Sequence, residues 1–176
     1  MGSFAIQYAK AKGAYVYTTT STSNLEWVKK LGADRVIDYK TEDYKSIVKD
    51  VDIVFDTLGK NYSLESFDVV KQGGIVVSVV GPLDEASAKM FGMADYKLPE
   101  ELAKASSDKD ADYKFIFMHP NGAHLNEIKS MIEDEKIKPI IDKVYPFSES
   151  FEAFEHLATG RAKGKIVVKI SEILFS

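Results

Sequence analysis

The sequence predicts an α/β fold in which helices cover a doubly wound parallel sheet. Three observations predict it. Segments typical of helices and strands alternate from residue 3 to residue 81. The apolar run at residues 74–81 suits a strand that is buried on both faces of a parallel sheet. Gly13, Gly32 and Gly73 follow apolar-periodic segments, where helices end. Strands and helices at this spacing form crossover units of a parallel sheet.

The individual elements follow from these periodicities. β-branched and aromatic runs predict strands at residues 15–19, 35–38, 52–56, 74–81, 114–118, 139–144 and 164–170. Apolar residues at helical spacing predict helices near residues 3–12, 25–31, 44–48, 64–70, 125–132 and 151–157. Ser23 and Glu26 have the spacing of a capping box.

Residues 83–113 interrupt the alternation. They are rich in Asp, Glu, Lys, Ala and Ser, and only one short helix, starting at Pro99, is predicted among them. Because strand-like sequence resumes immediately afterwards, we expect a surface excursion rather than a linker between domains.

The composition excludes several classes of protein. A net charge of −4, with acids and bases interspersed, is not typical of nucleic-acid or anionic-membrane binding. The absence of cysteine excludes disulfides, thiolate catalysis and cysteine-ligated zinc. No apolar run approaches the roughly 18 residues that span a bilayer, and the first residues do not have the pattern of a signal peptide. We therefore expect a cytoplasmic protein.

Two segments have the residues expected of a dinucleotide site. Gly2 and Ser3 start a helix, where backbone N–H groups face a pyrophosphate in such folds. The strand at residues 15–19 leads into a turn, residues 19–24, that contains hydroxyl and amide side chains but no carboxylate. NAD-binding folds usually have an acid here, whereas hydroxyl and amide donors can bind a 2′-phosphate, which an acid would repel. The alternative for Ser23 is a purely structural N-cap.

Four sequence blocks resemble the medium-chain dehydrogenase/reductase superfamily, in its order and at its intervals. They are GSFAIQYAK at residues 2–10, LGADRVIDY at residues 31–39, FDTLG at residues 55–59 and GRAKGKIV at residues 160–167. The branch that they resemble contains zinc-type alcohol dehydrogenase-like proteins and NADPH:quinone oxidoreductases, most of which lack zinc. The resemblance spans nearly the whole chain.

This resemblance implies NADP(H) as the cofactor and assigns it a set of contacts. Near the pyrophosphate and the 2′-phosphate it places Gly2, Ser3, Thr20, Ser21 and Asn24, with Tyr39 against the adenosine phosphate end. It places Thr57, Leu58 and Gly59 in the adenosine pocket, Val80 and Gly81 on the nicotinamide side, Phe117 beside the nicotinamide ribose, and Lys165 as a further contact. The structural alternatives are a strand-end aromatic for Tyr39, turn glycines for Gly59 and Gly81, and a solvated base for Lys165.

The resemblance also implies parts that the sequence does not contain. The sheet is expected to lack its first strand, so residues 1–138 form an incomplete dinucleotide-binding domain. Residues 139–176 are expected to return to a catalytic domain that is absent. No residue is assigned a catalytic role, and no metal is expected, because His119, His124 and His156 lack carboxylate or cysteine partners at ligand spacing.

The expected function of the parent protein is NADPH-dependent hydride transfer to a quinone, an enone or a related carbonyl. The isolated chain is expected to be inactive, because the wall of the substrate cleft is missing. A non-catalytic nucleotide-binding or scaffolding module is the alternative, and the missing acid after Thr20 disfavours a methyltransferase. A homodimer or larger assembly is expected through the edge strand with Phe115, Ile116, Phe117 and Met118, across which related enzymes join subunits.

Overall fold

The computed structural model describes residues 1–170 and confirms the α/β class. The helices of this part of the chain are α1 (Gly2–Ala11), α2 (Leu25–Lys30), α3 (Tyr44–Ile47), α4 (Asn61–Glu65), α5 (Glu85–Met90), α6 (Glu100–Lys109), α7 (Gly122–Glu133) and α8 (Ser150–Ala158). The strands are β1 (Tyr17–Thr20), β2 (Arg35–Asp38), β3 (Val51–Asp56), β4 (Val70–Ser78), β5 (Asp112–Phe115), β6 (Ile141–Pro146) and β7 (Lys165–Lys169).

The described strands form three small sheets. β1 pairs with β2, β6 pairs in parallel with β7, and β4 lies between β3 and β5 in a parallel three-stranded sheet. Phe55 lies opposite Val77 in that sheet, and Asp56 lies opposite Ser78. Because the strands are parallel, the carboxyl ends of β3, β4 and β5 meet at one edge. This is the edge at which open α/β sheets bind their ligands.

The chain divides into two compact units, which are described separately. The first contains residues 1–18, 26–35 and the described residues from 122 onward, and the second contains residues 19–25 and 36–121. The boundary between residues 138 and 139, which the sequence suggested for two domains, stays a prediction.

Two apolar clusters form the core of the second unit. The larger contains Phe67, Val70, Val76, Leu102, Ala111 and Tyr113, and the smaller contains Ile37, Val48 and Val69. Leu102 belongs to α6 and is 4% exposed, and Ala88 of α5 is also buried. The helix predicted to start at Pro99 is confirmed by α6, which has Pro99 at its N-cap. The segment is nevertheless more than a surface excursion, because a second helix, α5, occupies it and both helices bury a small apolar face.

The observed limits of β4 differ from the predicted strand at residues 74–81. The strand begins at Val70, which pairs with Val51, so the helix predicted near residues 64–70 ends earlier, at Glu65 of α4. β4 ends at Ser78, whose hydroxyl accepts hydrogen bonds from the amides of Val80 and Gly81. The chain therefore turns directly after Ser78.

β5 is an edge strand among the described residues, but it ends at Phe115 rather than at Met118. The start of α5 binds its outward backbone groups. The Phe115 amide donates to Asp84 Oδ2 at 2.8 Å, and the Ser87 hydroxyl donates to the Phe115 carbonyl at 3.2 Å. Burial acts to raise the pKa of the Asp84 carboxyl, but hydrogen bonds from backbone amides outweigh this effect and lower it.

In the first unit, side-chain contacts fix the position of α1. Gln7 donates to the Lys138 carbonyl at 3.1 Å and accepts from the Lys138 amide at 2.8 Å. The Asp34 carboxylate binds the Lys10 ammonium at 2.8 Å and accepts from the Val16 amide at 2.7 Å. The sequence blocks at residues 2–10 and 31–39 are thus joined by structural contacts, independently of any ligand.

Candidate functional site

The hydroxyl-rich turn after β1 gathers several of the predicted contacts in the second unit. The Tyr39 amide donates to the Thr20 carbonyl at 3.1 Å. The Ser21 hydroxyl oxygen lies 3.3 Å from Ser23 Oγ and accepts from Asn24 Nδ2 at 3.3 Å. The structure therefore brings Thr20, Ser21, Asn24 and Tyr39 together. The Tyr39 side chain itself is exposed.

The predicted capping box at Ser23 and Glu26 is absent from this turn. A 3₁₀ turn begins at Thr22, so Ser23 lies inside it, and the residue at the N-cap position is Ser21. The Ser21 side chain makes no capping hydrogen bond. The structural alternative proposed for Ser23 was therefore wrong.

Asp38, at the end of β2, lies beside this turn although the sequence analysis gave it no role. Asp38 is 4% exposed, and its carboxylate accepts from the Thr22 hydroxyl at 2.5 Å and from the Lys40 amide at 3.0 Å. The Thr22 hydroxyl is the main group that lowers the pKa of the Asp38 carboxyl. A buried anion therefore supports a turn that contains no acid of its own. The signal was available, since Asp38 is the last residue of a predicted strand, as the hydroxyl-rich turn is the continuation of another.

The loops after β3 and β4 form a second group of predicted contacts. The Asp56 carboxylate accepts from the Leu58 amide at 2.8 Å and from the Gly59 amide at 2.9 Å through Oδ1. Its Oδ2 accepts from the hydroxyls of Ser63 at 2.6 Å and Ser78 at 3.0 Å. Burial acts to raise the pKa of this carboxyl, but the four hydrogen bonds outweigh it and lower the pKa. Asp56 is 5% exposed and ionised at neutral pH.

The two glycines in these loops have specific steric roles. Gly59 has φ of +66°, and a Cβ there would lie 2.9 Å from the Val80 carbonyl oxygen. A Cβ on Gly81 would lie 2.6 Å from both Ser63 Oγ and the Tyr113 hydroxyl. Both positions therefore require glycine, and the two loops contact each other directly. Thr57, Leu58, Gly59, Val80 and Gly81 thus form one local surface.

Phe117 lies just beyond the end of β5 and is half exposed. Its ring meets the Phe91 ring edge to face, with centroids 5.2 Å apart. Both rings line a shallow pocket of about 220 Å³ whose other lining residues are Ser87, Met90, Phe115, Ile116 and His119. The predicted contact is therefore part of an apolar surface rather than of the loops around Asp56.

Three predicted contacts belong to the first unit. Gly2 and Ser3 lie in the first turn of α1, where the Ser3 carbonyl accepts from Gln7 Nε2 at 2.9 Å. Lys165 starts β7 and its side chain is exposed, while its amide donates to the Ile140 carbonyl at 2.8 Å. These residues lie in a different unit from the turn and the two loops.

The histidines differ from one another in their surroundings. His156 lies 3.2 Å from Asp142 Oδ2 through Nε2 and 3.0 Å from the Tyr145 hydroxyl through Nδ1. His156 thus has a carboxylate neighbour that its sequence spacing did not indicate, because β6 and α8 bring residues distant in sequence together. Within residues 1–170, no group of three or more His, Asp or Glu side chains is arranged to hold a metal ion.

A family model described as zinc-binding dehydrogenase matches residues 31–168. The chain belongs to this family. The match confirms the resemblance to the medium-chain dehydrogenase/reductase superfamily that the four sequence blocks indicated. It also accounts for the alternating helices and strands, since solved members of the superfamily share this fold.

Relatives and solved structures agree with this assignment. The chain is 33% identical over 180 residues to NAD(P)H oxidoreductase RTN4IP1, mitochondrial, of Mus musculus, covering 97% of this chain and 45% of the relative. It is 33% identical to 2-methylene-furan-3-one reductase of Solanum lycopersicum, covering 96% and 37%. The structure of the quinone oxidoreductase from Coxiella burnetii has 29% identity and a TM-score of 0.75, covering 96% and 49%.

The chain spans about half the length of the curated relatives it matches, or less. Some relatives carry mitochondrial or chloroplastic in their names, so a cytoplasmic location stays a prediction. None of the helices in the described part of the chain is both long and apolar enough to span a bilayer.

Proposed function

We propose that this chain is the nucleotide-binding part of an NADPH-dependent oxidoreductase that reduces a quinone, an enone or a related carbonyl. The observations that carry the proposal are the hydroxyl-rich turn directly after β1 and the two glycine-containing loops directly after the parallel strands β3 and β4, all in the second unit. The names of the relatives, which include an NAD(P)H oxidoreductase and a furanone reductase, support the same chemistry.

The turn after β1 fits the adenosine end of such a nucleotide. Asn24 Oδ1 is buried, and no described group donates a hydrogen bond to it. A buried acceptor without a donor is costly, and a ribose hydroxyl would supply that donor. The hydroxyls of Thr20 and Ser21 can donate to a 2′-phosphate. The bound nicotinamide would supply the hydride, while the protein binds and orients the nucleotide.

Direct titration tests this proposal. NADPH and NADH are added to the chain, and binding is followed by nicotinamide fluorescence. We expect saturable binding of NADPH that is tighter than that of NADH, because the turn at residues 19–24 contributes donors and no carboxylate. Equal or tighter binding of NADH would refute the preference for NADPH. Absence of binding by either nucleotide would favour the alternative, a scaffolding module.

We also propose that the protein forms a homodimer or larger assembly through Phe115, Ile116, Phe117 and Met118. The last three side chains are exposed and apolar, at the end of the edge strand β5. Asp84 and Ser87 already bind the outward backbone groups of Phe115. The contact is therefore expected to involve side chains rather than continuous strand pairing at that residue.

Sedimentation equilibrium of the Phe117→Glu variant tests the assembly. We expect a dimer or larger species for the unsubstituted chain and a shift toward monomer for the variant, because a carboxylate would be buried in an apolar contact. Phe151→Glu is the matched control, since Phe151 is an exposed aromatic residue on α8. A stable monomer of the unsubstituted chain at micromolar concentration would rule out the proposed assembly.

A further inference from the structure

The loops that follow β3 and β4 are held by two buried polar side chains that are hydrogen-bonded to each other, Asp56 and Ser78. The Asp56 carboxylate binds the amides of Leu58 and Gly59, and the Ser78 hydroxyl donates to the same carboxylate at 3.0 Å. The Ser78 oxygen in turn accepts from the amides of Val80 and Gly81, at 3.3 and 2.8 Å. One carboxylate and one hydroxyl therefore organise both loops.

We propose that Asp56 and Ser78 are positioning residues for nucleotide binding. They turn the amides of both loops inward, so that the surface of the loops binds an uncharged part of the nucleotide. This inference rests on the proposed function, because it concerns the nucleotide that the function requires. Neither residue touches the ligand in this scheme. Both act through the loops that they hold.

The first argument concerns the backbone amides. Phosphate sites in dinucleotide folds depend on N–H groups that point toward the ligand. Here the amides of Leu58, Gly59, Val80 and Gly81 all donate to Asp56 or Ser78. These four amides are consequently not free to bind a phosphate. The loops present instead the side chains of Leu58 and Val80, which are 60% and 49% exposed.

The second argument concerns the contact between the loops. A Cβ on Gly59 would lie 2.9 Å from the Val80 carbonyl oxygen, and a Cβ on Gly81 would lie 2.8 Å from Ser78 Oγ. Because the packing leaves no free space at these points, a shift of one loop displaces the other. The exposed side chains of Leu58 and Val80 are therefore carried by two loops that fix each other's position.

The third argument concerns protons. Each hydroxyl has only one proton to donate, and both Ser63 and Ser78 donate theirs to Asp56 Oδ2. An ionised carboxylate can accept all four hydrogen bonds at once. An asparagine could accept only through its single carbonyl oxygen, and its amide group would face hydroxyls that already point inward. Asp56→Asn should therefore disturb both loops, whereas Ser78→Ala should release only Val80 and Gly81.

Amide hydrogen exchange of the ligand-free chain tests the loop geometry. In Ser78→Ala, exchange at Val80 and Gly81 should accelerate by a factor of about two to ten, because each amide loses one hydrogen bond, while Leu58 and Gly59 keep their protection. Asp56→Asn should accelerate exchange in both loops. Ser66→Ala is the matched control, because Ser66 is also buried but donates its hydroxyl to the Tyr62 carbonyl.

Binding of two nucleotides then separates a positioning role from a general loss of stability. Ser78→Ala should lower the affinity for NADPH about tenfold and leave the affinity for adenosine 2′,5′-bisphosphate, which has no nicotinamide, unchanged. Asp56→Asn should lower the affinity for both ligands. Ser66→Ala should bind both as the unsubstituted chain does, even if its melting temperature falls by the same amount as that of Ser78→Ala.

The outcomes are distinguishable. If the unsubstituted chain binds NADPH and Ser78→Ala binds it equally well, the positioning role is overturned and the proposed function stands. Equal losses in Ser78→Ala and Ser66→Ala, or equal losses for both ligands in Ser78→Ala, also overturn it. If the unsubstituted chain binds neither nucleotide, the proposed function fails and the positioning role fails with it. Should Asp56→Asn not fold, Ser78→Ala decides the question alone.

Discussion

Ser21→Asp is expected to weaken NADPH binding by about tenfold or more relative to NADH. The Ser21 hydroxyl lies in the turn proposed to face the 2′-phosphate, between Ser23 and Asn24. A carboxylate there would repel a phosphate several ångströms away, and after screening by water and salt we expect at least about 1.4 kcal/mol, which is a factor of ten. NADH has no phosphate at that position and should lose little affinity.

Two control variants isolate the charge. Ser21→Ala removes the hydroxyl without adding a charge, so it should lower the affinity for NADPH much less than Ser21→Asp does. Ser107→Asp adds the same charge at an exposed position on α6, outside the proposed site, and should affect neither nucleotide. The measurement is a fluorescence titration with both nucleotides at several salt concentrations. If Ser21→Asp reduced the affinity for NADH as much as that for NADPH, the turn would not face a 2′-phosphate.

Leu102→Ala is expected to lower the free energy of unfolding by about 2–5 kcal/mol, the usual cost of removing a buried leucine side chain. Leu102 packs with Phe67, Val76 and Tyr113 in the larger core cluster. The loss would show that the segment between residues 83 and 113 supports the sheet from which the proposed site is built. Urea unfolding followed by circular dichroism measures it.

Leu125→Ala provides the comparison for this measurement. Leu125 lies on α7 and is 66% exposed, so the same truncation there should change the free energy of unfolding by less than about 0.5 kcal/mol. Similar values for the two variants would mean that α6 does not contribute to the core.

The fold class could be predicted because the apolar period changes regularly along the chain. The strands at residues 35–38 and 52–56 were found almost at their observed limits, since short β-branched runs there are bounded by polar residues. α6 was predicted from Pro99 at its start, whereas α5 was not predicted. The only buried residue of α5 is Ala88, which leaves no apolar stripe at helical spacing in a charged segment.

The candidate site was only partly predictable for a different reason. The turn containing Ser21 and Asn24 is contiguous in sequence, so its composition alone indicated a phosphate-binding role. Asp38 acts on that turn from the end of the next strand, and Asp56 joins two loops that are separated by a helix and a strand. Such contacts depend on strand register, which sequence spacing does not specify. Sequence patterns located the loops but not the groups that hold them.

The contacts of Asp84 and Ser87 with Phe115 have a consequence for solubility. An open edge strand is a template onto which another chain can add a strand, and repeated addition produces fibres or precipitates. At Phe115 both outward backbone groups are already bound by the start of α5. These two backbone groups are therefore not available to pair with an added strand. The same two polar residues thereby remove one point of strand addition next to the exposed side chains of Phe117 and Met118.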